Sequence, residues 1–203
     1  MRNKEMTKRQ MQAIETKQKI HDAAFHLMNI NGLQNVSIRD ICDAAGVSTG
    51  TFYHYYASKD EVFTLSAAKL DEIAYAVFNN RDKSLPLGDQ FVSLFLSQAK
   101  HIASRGSAIT NYTLVVHLKN PGLEIFTRKR PFYGFLCQFI DEAQKAGTLS
   151  RDFPPEFICD MAQALFRGLW VDWCTENGAF DLASRTKSYL STFIRQFLVD
   201  SPA

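Results

Sequence analysis

The stretch from Ser37 to Glu61 sets two short amphipathic segments on either side of one glycine, and few arrangements let so short a stretch bury its apolar positions. Ser37 and Asp40 have the spacing of a capping box, in which each end of the first helical turn satisfies an amide of the other. The helix they start places Ile38, Ile41, Ala44 and Ala45 on one face. Gly46 follows the last periodic residue, where a left-handed conformation ends a helix at least steric cost. Val47 is then expected to turn into the core while Ser48 caps a second helix of about two turns. On that helix Phe52 and Tyr56 lie four residues apart and point inward, leaving Thr49, Gly50, Thr51, Tyr53, His54 and Tyr55 outward.

Two short helices around a glycine also describe an ordinary helical hairpin. A solvated helix face normally carries Lys, Glu and Gln, however, and this one is short, hydroxyl-rich and aromatic, so a covering partner is expected. Small residues at its start let backbone approach base edges, and Tyr, Thr and His donate to phosphate oxygens without ordering long side chains. Ser58-Lys59-Asp60-Glu61 is a further capping box whose lysine sits at a helix start, where free amides attract anions. Lys59 therefore reads as a phosphate clamp.

From about Lys17 to Leu65 the chain resembles the DNA-binding domain of the tetracycline-repressor (TetR) family of bacterial transcription regulators. The resemblance rests on Ile20, Ala23, Ala24 and Leu27 in a first helix, the stop at Asn31-Gly32, and Val36-Ser37-Ile38-Arg39-Asp40-Ile41. It continues through Ala44-Ala45-Gly46-Val47-Ser48, Gly50-Thr51-Phe52-Tyr53-His54-Tyr55-Tyr56 and Ser58-Lys59-Asp60-Glu61-Val62. It implies that Tyr53 and Lys59 hold phosphates, that Thr49, Gly50, Thr51 and Tyr55 face bases or adjacent backbone, and that Arg39 reaches a base or phosphate. Lys17, Ser48 and His54 complete the expected DNA-facing set, while Phe52 and Tyr56 stay structural. Cys42 stands where the family pattern usually has Ala, and Tyr56 where it usually has Phe; a packed interior tolerates both.

The 203 residues suffice for a small N-terminal domain, residues 1–60, and a larger one, residues 61–203. With 23 Lys and Arg against 21 Asp and Glu, net charge by itself does not announce nucleic acid. The start of the chain is basic, with Arg2, Lys4, Lys8, Arg9, Lys17 and Lys19 against Glu5 and Glu15, so its first residues read either as an arm that tracks a DNA backbone or as a soluble tail. Cys42, Cys137, Cys159 and Cys174 are dispersed without a C-x-x-C pair and read as reduced core thiols. The five histidines form no close pair with metal-ligand spacing, so neither a metal nor a cofactor is expected. With no long apolar run and no leader pattern, the expected location is cytoplasmic, with no membrane partner.

Beyond a helix expected from Lys59 to about Asn79, periodicity breaks over Arg81-Asp82-Lys83-Ser84-Leu85-Pro86-Leu87-Gly88. Helical spacing returns at Phe91, Leu94 and Phe95, then from Ala108 to Leu118 up to a stop at Asn120-Pro121-Gly122. Pro131 either kinks a helix running from Leu123 or opens a new one at its first position. Pro154-Pro155 opens a helix ended by Asn177-Gly178, and the last helix is expected over Leu182 to Val199 with Leu190, Phe193, Ile194, Phe197 and Leu198 in one stripe. The expected fold class is all-α: a three-helix helix-turn-helix domain followed by a larger helical ligand-binding and dimerisation domain.

Phe91, Phe95, Tyr112, Phe132, Phe135, Phe139, Phe166 and Trp170, with Val116, concentrate large side chains on a few helices. Each is ordinary core material taken singly. The family resemblance implies that a cavity among such helices takes a small-molecule effector, here partly apolar, with the polar Asn111, Tyr112, His117, Tyr133, Gln138 and Gln163 as possible lining. It also implies a homodimer through the last two helices, which places two recognition helices one duplex turn apart to read a palindromic operator. The run Arg128-Lys129-Arg130 reads first as a solvated helix end before Pro131, with attraction of an anionic effector as the other reading. No nucleophile with a base, paired carboxylates or phosphate-cradling glycine loop argues for an enzyme. The expected function is a ligand-responsive, DNA-binding regulator, a repressor by first reading. An activator or co-repressor-dependent regulator would use the same parts, and a helical interaction protein is the remaining alternative.

Overall fold

The computed structural model describes residues 7–32, 35–59, 61–119 and 127–199, the side chains of residues 8, 10 and 63–66 aside. Its helices are α1 (Lys8–Asn31), α2 (Ile38–Ala45), α3 (Thr49–Tyr55), α4 (Glu61–Asn80), α5 (Leu87–Arg105), α6 (Ser107–Lys119), α7 (Pro131–Lys145), α8 (Pro155–Thr175) and α9 (Leu182–Arg195). Among the described residues the sole β-type pairing is an isolated bridge between Leu149 and Leu198. No helix among them is long and apolar enough to cross a membrane. The chain divides into two compact units, Met1–Leu65 and Ser66–Ala203, with the division inside α4. Arg2, Lys4, Asp60, the stop at Asn120-Pro121-Gly122 and a helix start at Leu123 lie outside the described residues.

In the N-terminal unit α1 begins at Lys8, so Arg9 and the residues after it are helical rather than an arm. Its buried face is Ile20, His21, Ala24, Phe25 and Met28, whereas Ala23 and Leu27 are only half-buried. Ser37 caps α2 with the full reciprocal box: its hydroxyl accepts the Asp40 amide at 3.2 Å and its own amide donates to the Asp40 carboxylate at 2.8 Å. Gly46 ends α2 at φ 67°, where its amide turns back to the Asp43 carbonyl and the Val47 amide to that of Cys42. That is a Schellman closure, and its left-handed residue is the reason a glycine stands there.

Five helices of the C-terminal unit meet pairwise: α5 lies along α9, α8 packs against both α7 and α9, and α6 rests on α8. Pro131 opens α7 at its first position, so the kinked alternative falls away. Arg130, expected in a solvated helix end, is instead buried, and its guanidinium forms a two-pronged pair with Asp71 of α4 at 2.8 and 3.1 Å. Asp71 also accepts the Phe132 amide at 3.2 Å, so a carboxylate from α4 caps the start of α7.

The connection from α7 to α8 is closed by side chains: Gln144 donates to the carbonyls of Ser150 and Phe153 at 2.7 and 2.8 Å, and Arg151 donates back to the Gln144 carbonyl at 2.8 Å. Asn177 and Gly178 adopt positive φ at the end of α8, where the expected stop lay. The last helix is shorter than its apolar stripe predicts. It ends at Arg195, the chain turns at Gln196 and Phe197, and Ser150 and Val199 donate amides to the carbonyls of Phe197 and Thr148 at 2.8 and 3.1 Å. Those cross-chain partners satisfy backbone groups that further helix would have satisfied internally.

Candidate nucleic-acid interface

The outer face of α3 is built from behind. Phe52 is fully buried, Tyr56 is 2% exposed, and the rings stand 5.6 Å apart. Burying a Phe side chain contributes roughly 1.5–3 kcal/mol, enough to fix the rotation of so short a helix. Tyr56 leaves the helix in an extended conformation and donates its hydroxyl to the Lys17 carbonyl at 3.2 Å, tying the end of α3 to α1. Burial, with Glu61 and Asp22 nearby, pushes the Tyr56 hydroxyl well above the usual phenol range, so it remains a donor.

With that side fixed, Thr49, Gly50, Tyr53 and His54 face outward, Tyr53 with 58% of its surface exposed. Tyr55 and Thr51 are half-buried, and the Thr51 hydroxyl shares a 2.9 Å hydrogen bond with that of Ser48. Ser48 is occupied as the helix cap, accepting the Thr51 amide at 3.0 Å, so its first role is local. Arg39 is exposed in the first turn of α2. Beside it, the hydrogen bond from the Ser37 amide and then that from the Ser37 hydroxyl hold the Asp40 carboxyl below its usual range, which keeps the cap charged.

The two expected phosphate-holding lysines are also structural. Lys17 is half-buried with its ammonium 5.6 Å from the centre of the Tyr56 ring. Lys59 donates to the Val36 carbonyl at 2.9 Å, which ties its ammonium to the chain just before α2. The expected box at Ser58 forms with a shifted partner: the Ser58 hydroxyl accepts the Glu61 amide at 3.2 Å, while the Glu61 carboxylate takes the amide of Ala57 instead of that of Ser58. The exposed hydroxyls, imidazole and backbone of α3, flanked by Arg39 and Lys59, form a surface of donors that matches a polyanion.

Residues 20–64 match the model of bacterial regulatory proteins of the tetR family, which spans this surface and the helices that set it. Residues 20–64 are a TetR-family DNA-binding domain. It is 26% identical over 169 residues to the HTH-type transcriptional regulator UidR of Escherichia coli K12, covering 82% of this chain and 86% of that one. Among solved structures, Salmonella enterica GusR superposes with a TM-score of 0.67 at 23% identity over 89% of this chain and 95% of its own. FadR of Bacillus subtilis, solved in complex with stearoyl-CoA, superposes with a TM-score of 0.67 at 18% identity over 87% and 97%. With that domain at its N-terminal end, the protein is a DNA-binding transcriptional regulator, and its described residues fold as helices throughout.

Of the residues expected around an effector, Phe91, Phe95, Phe132, Phe135, Phe139, Phe166 and Trp170 join one buried cluster in the C-terminal unit. Their rings meet mostly edge to face: Phe95 contacts Phe132 and Phe166 at 5.2 and 5.3 Å, and Phe166 contacts Trp170 at 5.4 Å. Val116 is buried on α6 and Tyr112 half-buried on it, both outside that cluster. His117 and Tyr133 are buried, Gln163 is half-buried, and Asn111 and Gln138 are exposed, Gln138 donating to Glu142 at 2.8 Å. A cleft of about 430 Å³ lies elsewhere in the unit, where the end of α4 meets the turn into α5, lined by Val77, Arg81, Leu85 and Gln90 among others. Sequence reasoning gave no sign of it, because the turn closes only through contacts such as Gln90 donating to the Leu85 carbonyl at 2.7 Å.

Proposed function

We propose that the protein is a homodimeric repressor that holds a palindromic operator through α3 of each protomer and releases it when a partly apolar small molecule binds the C-terminal unit. The observation that carries this reading is the uncovered donor face of α3, locked from behind by Phe52 and Tyr56. Thr49, Gly50, Thr51 and Tyr55 face base edges or the adjoining backbone in this reading. Tyr53, His54, Lys59, Lys17 and Ser48 engage phosphates, and Arg39 takes a base or phosphate. Such a protein acts in the cytoplasm, where the operator is, and performs no catalysis.

Two copies are required because one short helix makes too few contacts, whereas a two-fold pair spaced by about 34–36 Å reads both halves of a palindrome. Support for self-association comes from α8, whose outward residues Phe157, Met161, Ala164, Gly168 and Val171 repeat at helical spacing. Met161 and Val171 are 42% and 47% exposed, an apolar stripe with small residues at its middle. On α9, by contrast, Leu190 and Ile194 are spent within the chain, so α8 carries the dimer contact and α9 flanks it. The effector enters among Phe91, Phe95, Phe132, Phe135, Phe139, Phe166 and Trp170, with Tyr112 and Val116 alongside. The FadR structure, solved with a long acyl thioester, supports a ligand of apolar character. It acts by binding one conformation better than the other and shifting the population.

Binding to duplex from the protein's own upstream region, titrated at two ionic strengths, tests the reading. Affinity should fall steeply with salt, Tyr53→Phe should weaken all duplexes alike, and Thr49→Ala should change the preferred sequence. Absence of any salt-sensitive complex would overturn it.

A further inference from the structure

Cys137 on α7 and Cys159 on α8 share a thiol-to-thiol hydrogen bond that puts their sulfurs in direct contact, within reach of a disulfide. The other two cysteines are kept apart: Cys42 is buried on α2, and Cys174 near the end of α8 donates to the Ser107 carbonyl at 3.7 Å.

The two sulfurs are unequal. Cys159 is fully buried, whereas Cys137 is half-buried and is the one a small solute reaches. The hydrogen bond from Cys159 draws the Cys137 thiol below its usual range, against burial. The same bond, reinforced by burial, pushes the Cys159 thiol far up, so it keeps its proton. Glu156 and Asp160 oppose a thiolate at Cys137, but Asp160 is itself engaged, by Arg128 and by the Tyr133 hydroxyl at 3.2 Å. An accessible sulfur that favours the thiolate, backed by a buried thiol within reach, is the arrangement of a reactive cysteine with a resolving partner.

We propose that Cys137 and Cys159 form an oxidation site for hydroperoxides, closing as a disulfide between α7 and α8. The Cys137 thiolate, its proton released to water, attacks an oxygen of the hydroperoxide. The O–O bond breaks, sulfenic acid forms on Cys137, and the departing alkoxide or hydroxide takes a proton from water. The Cys159 sulfur then displaces the sulfenic hydroxyl, which leaves as water with the Cys159 proton. In sum, two thiols and one hydroperoxide give one disulfide, one alcohol or water, and one further water. A reducing compartment returns the pair to dithiol, so the site is reversible.

The test is to treat the reduced full-length protein with equimolar hydrogen peroxide, block remaining thiols under denaturing conditions and measure intact mass. Two of the four thiols should disappear with the loss of two hydrogens, and proteolytic fragments carrying Cys137 and Cys159 should be joined until a reductant is added. Cys159→Ser should accumulate a sulfenic acid at Cys137 that dimedone traps, and Cys137→Ser should form no disulfide. Oxidation of Cys42 and Cys174 should lag by roughly tenfold or more. All four thiols surviving, or Cys42 and Cys174 oxidising at the same rate as the pair, would overturn the proposal on the wild-type protein alone, whether or not the variants fold.

Discussion

His117 shows how much one side chain's meaning depends on its surroundings. It is buried on α6, and its Nδ1 lies 2.7 Å from the Thr113 carbonyl. Burial lowers its affinity for a proton, the Thr113 hydrogen bond opposes that, and the Arg130 charge adds to the lowering. The sign follows: below the ordinary imidazole value of 6.5 the unfolded chain binds a proton that the folded chain refuses, so stability falls with acidification until the folded imidazole is protonated too. Between about pH 7.5 and about pH 5.5, roughly one unit either side of that value, the urea midpoint should drop further for the wild type than for His117→Gln. Equal drops would mean that His117 does not carry the acid sensitivity. Arg130 gives a companion lesson: beside Lys129 in sequence it is one more surface charge, but paired with Asp71 it is a buried ion whose isolation would cost about 3–5 kcal/mol.

At the scale of elements, local chemistry sets helix ends with little help from the rest of the fold. Ser37, Asp40 and Gly46 start and stop α2 within a few residues of one another. Ser37→Ala removes the oxygen that accepts the Asp40 amide and should destabilise the N-terminal unit by about 0.5–2 kcal/mol, read from denaturant unfolding followed by a probe in that unit. Because the box also orients the helix before α3, duplex affinity should fall with it; unchanged stability and affinity would show that Asp40 holds the end alone. The end of α9 is the contrasting case. Its apolar periodicity continues to Leu198, yet the helix stops at Arg195 because the backbone beyond it pairs with residues 148–150.

The whole-molecule question is what covers the outward stripe of α8. A monomer would leave Phe157, Met161 and Val171 in water, and a contiguous apolar stripe of that kind marks an association surface. Among the described residues nothing lies within 4 Å of a Cβ added at Gly168, so the stripe is not filled there by its own helix neighbours. Met161→Glu puts a charge in that stripe without disturbing the buried core. Sedimentation should show it as a monomer at concentrations where the wild type is a dimer, with operator affinity lowered at least tenfold because only half-sites can be held. A Met161→Glu protein that remains dimeric would move the interface elsewhere.

What the sequence determined by itself was local and periodic. The caps at Ser37, Ser48 and Ser58, the stops at Gly46 and Gly178, the helix-opening prolines and the inward pair Phe52 and Tyr56 all act through neighbours within four or five residues, and such relations are written in order along the chain. The all-α class and the outward face of α3 follow from them. Tertiary structure alone decided the pairs that join distant stretches: Asp71 with Arg130, Cys137 with Cys159, Lys59 with Val36, and the close of α9 against Leu149. A charged or sulfur-bearing side chain reads alike in sequence wherever it sits, and only the packing of helices supplies the partner that fixes its protonation, its reactivity and its cost.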